Sequence, residues 1–250
     1  MKIFYFTATG NNLYIAKRIG GELFSIPQVM KEENPEYNDD SIGIVFPCYY
    51  FGTPVLVKEF LKKVTLKADY IFAIMSYGNY SFAGVNHFLK LCRIQEIKLS
   101  YLNEILMVDN YIPLFEIQEQ INTVEKKNIE ENLNIIISDI NSRKNYVKKE
   151  NVIKRFFTLI AQKYYKYHLK KADLQFLIED SCDRCKICEK VCPVNNIIVR
   201  EKPEYLHHCE ECLACTHNCP QNAIRMKNEN SKKRYRNKNI SIKEIIDSNI

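Results

Sequence analysis

Eight of the chain's ten cysteines fall between positions 182 and 219, in two runs of identical spacing. The first is Cys182-x2-Cys185-x2-Cys188-x3-Cys192-Pro193. The second, offset by 27 residues, is Cys209-x2-Cys212-x2-Cys215-x3-Cys219-Pro220. The match extends past the thiols, since Asn195 corresponds to Asn222 and Ile197 to Ile224; duplication of a loop-and-helix unit leaves such a trace. Thiols this dense must either cross-link or converge on metal. The opening Met1-Lys2-Ile3-Phe4-Tyr5-Phe6-Thr7 is too short an apolar stretch for a secretory signal and has no small-residue cleavage site behind it. A cytoplasmic setting is therefore expected, where clustered cysteines point to metal or redox chemistry before disulfides.

Structural zinc also takes four cysteines, often as paired C-x2-C, but it does not explain twelve-residue runs of four cysteines ending in proline. Three closely spaced thiolates can wrap three corners of an iron–sulfur cubane, and the fourth corner needs a ligand from farther along the chain. Residues 176 to 228 resemble the two-cluster bacterial ferredoxin domain, in which the fourth cysteine of each run serves the other cluster. The resemblance implies one-electron transfer through two [4Fe-4S] clusters. It assigns Cys182, Cys185, Cys188 and Cys219 to one, and Cys209, Cys212, Cys215 and Cys192 to the other. His207, His208 and His217 lie beside ligands, but every corner already has a cysteine, so they are expected to support the site or face solvent.

Before these runs, short apolar stretches alternate with helical patterns, the signature of a parallel sheet with crossover helices. Strands are expected at 2–6, 22–26, 41–46, 70–75 and 105–109, and helices at 12–20, 54–63, 82–93 and 116–140, giving a five-stranded three-layer α/β domain. Only seven glycines occur, and Gly10, Gly52, Gly78 and Gly84 follow candidate strands, where ligands bind in open α/β sheets. Three loops stand out. Thr7-Ala8-Thr9-Gly10-Asn11-Asn12 offers hydroxyls and backbone N–H groups to a phosphate at a helix N-terminus. Pro47-Cys48-Tyr49-Tyr50-Phe51-Gly52 has aromatics for stacking on a flat ring and a glycine for close approach. Ser76-Tyr77-Gly78-Asn79-Tyr80 can reach the opposite ring edge. Together they resemble flavodoxin over residues 1 to 140, which implies FMN, its phosphate in the first loop and its ring between the other two. Asn12 stands where flavodoxins usually carry Ser or Thr, removing one hydroxyl while keeping a polar side chain.

The order of the two parts resembles the bacterial EFR1 family, and Val108-Asp109-Asn110-Tyr111-Ile112-Pro113 fits that likeness. The expected division is a flavodoxin-like doubly wound domain over 1–145, a helical connector over 146–175, a small α+β ferredoxin domain over 176–228 and a basic tail over 229–250. In the connector, Val152, Ile153, Phe156, Phe157, Ile160 and Tyr164 recur at helical spacing among Lys154, Arg155, Lys163 and Lys166. This reads as an interdomain helix burying its apolar side, with peripheral membrane contact not expected. The tail, with Lys232, Lys233, Arg234, Arg236 and Lys238, is expected to be solvated or disordered. Cys48 and Cys92 read as buried bystanders. A formal charge of +6 comes with no nucleic-acid motif, and no apolar run is long enough to span a membrane. The leading expectation is an electron relay between clusters and FMN, with a redox protein or small molecule as donor and acceptor. A flavin-dependent NAD(P)H or small-molecule reductase is one alternative, although no G-x-G-x-x-G loop is present. A plain ferredoxin whose α/β domain binds no flavin and docks a partner is the other.

Overall fold

The computed structural model describes all 250 residues. The N-terminal part alternates strands and helices: β1 (Lys2–Tyr5), α1 (Asn11–Ile19), β2 (Glu22–Ser25), α2 (Ile26–Val29), β3 (Glu36–Asn38), β4 (Ser41–Pro47), α3 (Val55–Lys63), β5 (Thr65–Lys67), β6 (Tyr70–Tyr77), α4 (Gly84–Ile94), β7 (Tyr101–Leu106), α5 (Ile117–Asn122), α6 (Ile129–Asn141) and β8 (Tyr146–Val147). One parallel sheet has the order β2-β1-β4-β6-β7-β8, while β3 and β5 pair separately. Without β8 its five strands run 2-1-3-4-5 in chain order, the doubly wound order of flavodoxin-like sheets. The strand count is thus six rather than five: Tyr146 and Val147 pair with Tyr101 and Leu102 at the edge. A two-residue strand carries no alternation to read.

Side-chain alternation builds a layer on each face of the sheet. Ile3 and Tyr5 pack with Leu13 and Ala16 of α1 and Leu133 and Ile136 of α6. Phe4 and Phe6 face the other way, toward Val57 and Phe60 of α3 and Val85 and Phe88 of α4. The last long strand begins four residues earlier than its apolar pattern suggests. Mid-strand Asn103 and Glu104 disguise it, but Asn103 donates to the Tyr101 hydroxyl, and Glu104 accepts from Ser81 and Lys148. The helix expected over 116–140 is broken by a 3-10 turn at Val124–Lys127 and by Asn128 in the left-handed region at φ 47°.

Next come α7 (Val152–His168), a 3-10 segment (Leu169–Gln175), β9 (Phe176–Ile178), α8 (Ile187–Lys190), β10 (Ile197–Val199), β11 (Pro203–Tyr205), α9 (Ala214–His217) and β12 (Ile224–Met226). The strand–helix–strand unit beginning at β9 recurs at the 27-residue offset in the one beginning at β11. Antiparallel pairs β9–β12 and β10–β11 tie the units together. Left-handed residues recur at the same offset, with Arg184, Lys186 and Asn195 matched by Glu211, Leu213 and Asn222.

Two expectations are overturned. The apolar stripe of α7 faces solvent, while Thr158, Gln162 and Tyr165 form its buried face. Polar partners decide this: the Thr158 hydroxyl accepts from Ala83 N–H, and Gln162 and Tyr165 donate to backbone carbonyls. The tail is ordered and ends in α10 (Ile242–Asp247), capped by a reciprocal Ser241–Glu244 box. Its basic residues alternate with buried Ser231, Tyr235, Asn237 and Ile240, and Ile240 and Ile245 join the core around β1 and α1.

Candidate functional site

The first loop turns into α1 at Gly10, φ 95°, a conformation that costs glycine little. No side chain caps α1, so its first-turn N–H groups keep their donor capacity, as a phosphate site requires. The Thr7 hydroxyl accepts from Gly10 N–H, and the Thr9 hydroxyl accepts from Asn110. Each thereby retains a proton to donate. The Asn11 side chain is committed, donating to Val108 O and accepting from Tyr235 and Asn237. Asn12 is only 2% exposed, yet its Oδ1 has no partner. That oxygen is an acceptor and calls for a donor; towards a phosphate only the Asn12 Nδ2 can donate.

In the second loop, Tyr49 and Gly52 exchange N–H···O bonds of 2.9 Å around Tyr50 and Phe51, whose φ values are 47° and 59°. Two left-handed residues in a tight turn ordinarily call for Asn-Gly, and aromatic side chains there cost about 1–3 kcal/mol each. The geometry is held from α7: Gln162 Nε2 donates to Tyr49 O and Tyr50 O at 2.8 and 2.9 Å, and Tyr165 stacks on Tyr50 at 4.7 Å. Such strain, sustained by surrounding contacts, is a mark of functional loops.

A cavity of about 410 Å³ opens between these loops, within the range of small-molecule sites. Of the residues singled out in the three loops, Thr7, Thr9, Asn11, Asn12, Pro47, Tyr49, Tyr50, Phe51, Tyr77 and Gly78 line it, and Gly10, Gly52 and Asn79 do not. Gly10 instead leaves room for the tail, since a Cβ would sit 2.9 Å from Ile240 Cβ. At Gly52 a Cβ would meet the Gln162 amide at 2.5 Å. Asn79 is turned away by two 3.0 Å hydrogen bonds to Asp109.

Ala8, Cys48, Ser76 and Tyr80 of the same loops add to the wall, and the rest of the lining comes from outside the three loops. Met107 to Tyr111 follow β7; the sequence singles out Val108 to Tyr111 for the family likeness, but a strand expected over 105–109 left Met107 to Asp109 within the sheet instead of the loop. Tyr165 comes from α7, and Glu211, Cys212 and Leu213 come from the second cysteine run. Glu211 accepts from the Tyr50 and Tyr111 hydroxyls at 2.9 and 3.2 Å, with His168 at 3.2 Å. Burial and the Glu211 charge push the Tyr111 hydroxyl up to about 12. Nothing in sequence spacing links position 211 to positions 50 and 111.

Four of the eight cysteines share one lining. Cys182, Cys185, Cys188 and Cys219 line one small cavity together with Val199, Pro203 and Ile224. Burial, and after it the neighbouring Cys192, Cys209 and Cys215, push the Cys212 thiol well above its ordinary range, and Cys215 also raises Cys188. Burial likewise pushes Cys188 and Cys215 up to about 12. Thiols this buried become thiolates only when a cation compensates them, as coordinated iron does. Each repeat also aims a backbone N–H at its fourth thiol, Asn196 N to Cys192 at 3.1 Å and Ala223 N to Cys219 at 3.3 Å; such bonds tune the potential of a ligated cluster. No group of three or more Cys, His, Asp or Glu converges on a point suited to a single ion. His217 is buried beside Cys215, and its Nε2 donates to Asn110 O while Nδ1 accepts from Tyr235 N–H. Burial lowers its pKa to about 4, in keeping with that neutral tautomer. Burial pushes the Cys48 and Cys92 thiols up, away from reactivity.

Residues 176–198, which contain the first cysteine run, match the 4Fe-4S binding domain family. No curated protein sequence matches the chain. Among solved structures, a protein of Bacteroides uniformis ATCC 8492 provisionally named a flavoprotein shares 13% identity, covering 49% of this chain and 96% of its own at a TM-score of 0.33.

Proposed function

We propose that this protein relays single electrons between two [4Fe-4S] clusters and an FMN, exchanging them with an outside redox protein or small molecule. The observation that carries the reading is one shared cavity: the three flavodoxin-like loops form its walls, and Cys212 of the second cysteine run closes it. A flavin accepts a two-electron equivalent and releases it singly, whereas a [4Fe-4S] centre moves one electron at a time. The chain's own residues position these groups. First-turn N–H groups of α1, the hydroxyls of Thr7 and Thr9 and the Asn12 amide would hold the phosphate, while Tyr49, Tyr77 and Tyr111 would border the ring. Glu211 fixes Tyr50 and Tyr111 from a position between the ligands Cys209 and Cys212, so ring wall and cluster loop form one hydrogen-bonded unit. Cys182, Cys185, Cys188 and Cys219 would hold the first cluster, and Cys192, Cys209, Cys212 and Cys215 the second. No side chain is needed as acid, base or nucleophile.

Anaerobic purification with iron, sulfide and flavin quantified on one sample tests the proposal. About eight iron, eight sulfide and one FMN per chain are expected from two four-iron clusters and one flavin site. The same iron without flavin after flavin-replete expression would reduce the protein to a ferredoxin, and zinc in place of iron would overturn both readings.

A further inference from the structure

On α7 the apolar and buried faces are opposite. Val152, Ile153, Phe156, Phe157, Leu159, Ile160, Tyr164 and Tyr167 are 51% to 76% exposed, and the side that meets the protein is Thr158, Gln162 and Tyr165. At 100° per residue the exposed apolar side chains occupy an arc centred roughly opposite that buried face. Arg155 and Lys166 border the arc on one side, Lys163 lies within it, and Lys170 and Lys171 follow it; no Asp or Glu occurs from position 151 to 172. The helix is ~25 Å long. A projecting ridge of aliphatic and aromatic side chains with a purely basic margin has the composition of helices that lie in the headgroup region of a bilayer.

We propose that α7 docks this protein onto an anionic membrane surface, with Ile153, Phe156 and Ile160 entering the acyl boundary and Arg155, Lys163 and Lys166 meeting lipid phosphates. Charge complementarity selects this occupant. A second copy packed on the same face would juxtapose the basic margins of both helices. A soluble electron carrier would meet a small, wet, polar interface, not a ridge this apolar. The ridge also continues into the candidate flavin site. Phe157 lies 6.0 Å from Phe82, which lies 4.3 Å from Phe51 of the cavity wall. Docking would therefore hold the cavity mouth beside the lipid. No helix is long and apolar enough to cross a membrane, so attachment would be peripheral. It does not depend on which cofactors are bound.

Vesicle flotation of the full chain tests this, using phosphatidylglycerol mixed with phosphatidylcholine and, separately, phosphatidylcholine alone. The protein is expected to float with the anionic vesicles, to bind phosphatidylcholine at least about tenfold more weakly, and to be released by salt. Phe156→Ser/Ile160→Ser and Lys163→Glu/Lys166→Glu should each lower binding by about tenfold or more. These positions point to solvent, so far-UV circular dichroism should be unchanged. Absence of flotation with anionic vesicles would overturn the proposal, as would unchanged flotation of both variants. So would a dimer that F156S/I160S dissociates while wild type ignores vesicles, which would assign the ridge to a second copy.

Discussion

Replacing Gly52 with alanine places a methyl group where α7 needs space. Its Cβ would lie 2.5 Å from Cδ and Nε2 of Gln162 and 2.9 Å from Cγ, so the amide must withdraw by about an ångström to reach ordinary contact. Its bonds to Tyr49 O and Tyr50 O, at 2.8 and 2.9 Å, would then exceed hydrogen-bonding range. Two lost bonds at about 1 kcal/mol each plus disturbed packing come to ~2.5 kcal/mol, offset by ~0.5 kcal/mol because alanine restricts the unfolded chain. The net loss of ~2 kcal/mol corresponds to a melting temperature lowered by about 4–8 °C in a chain of this size. Gln162→Ala should cost a similar amount. In the double variant the new methyl group occupies space the amide has left, so its melting point should match Gln162→Ala alone. Thermal melts of all four proteins under anaerobic conditions read this directly. FMN titration should show Gly52→Ala weakening binding together with the fall in stability, because Gly52 acts through Tyr49 and Tyr50. Additive losses in the double variant, or FMN loss without a lower melting point, would refute the argument.

Asn12→Asp puts a carboxylate where a phosphate is to bind and should weaken FMN by at least about tenfold, which fluorescence titration measures; unchanged affinity would remove the loop from the phosphate site. Under the crosswise ligand sets, Cys192→Ser/Cys212→Ser damages one cluster, whereas Cys192→Ser/Cys188→Ser damages both. Iron analysis should find about four per chain in the first and less in the second, and the reverse order would reassign the ligands. His87 accepts from Thr53 N–H at 3.2 Å, and burial lowers its pKa to about 3. The unfolded chain therefore binds the extra proton below about pH 6.5, so stability present at neutral pH is lost as pH falls, by ~2 kcal/mol at pH 5. His87→Gln should abolish that part of the acid sensitivity in thermal melts at pH 7 and pH 5, and equal sensitivity in both proteins would count against it.

The cysteine runs were the most legible feature because ligand spacing is a local property: duplicated backbone conformations such as Lys186 and Leu213 follow from duplicated sequence. The sheet was legible wherever strands are buried on both faces, as β4 and β6 are. It was misread at β7, where Asn103 and Glu104 find partners that no linear pattern announces. Amphipathicity misled at α7, since its periodicity gave the apolar arc correctly but not which side meets the protein. That choice rests on Gln162 and Tyr165 reaching carbonyls more than 40 residues away in sequence. Glycine positions were found correctly and interpreted incompletely: Gly10 and Gly52 make room for Ile240 and Gln162, contacts that exist only after the chain has folded back. The wall formed by Glu211 and Cys212 was invisible for the same reason.

The last residues of the chain complete its first loop. Asn237 donates its N–H to Thr9 O, Tyr235 bonds Asn11, and Ser248 reaches Tyr5 across 243 positions of sequence. During translation the N-terminal strands emerge before the segment that seals them, with both cysteine runs in between. Contacts this distant form late in folding. Residues 230–250 thus close the first loop only after both cysteine runs have been made, so the cysteine-rich part and the loop can be separated by truncation. A truncation that removes residues 230–250 would spare every cysteine of the two runs and leave the first loop unfinished.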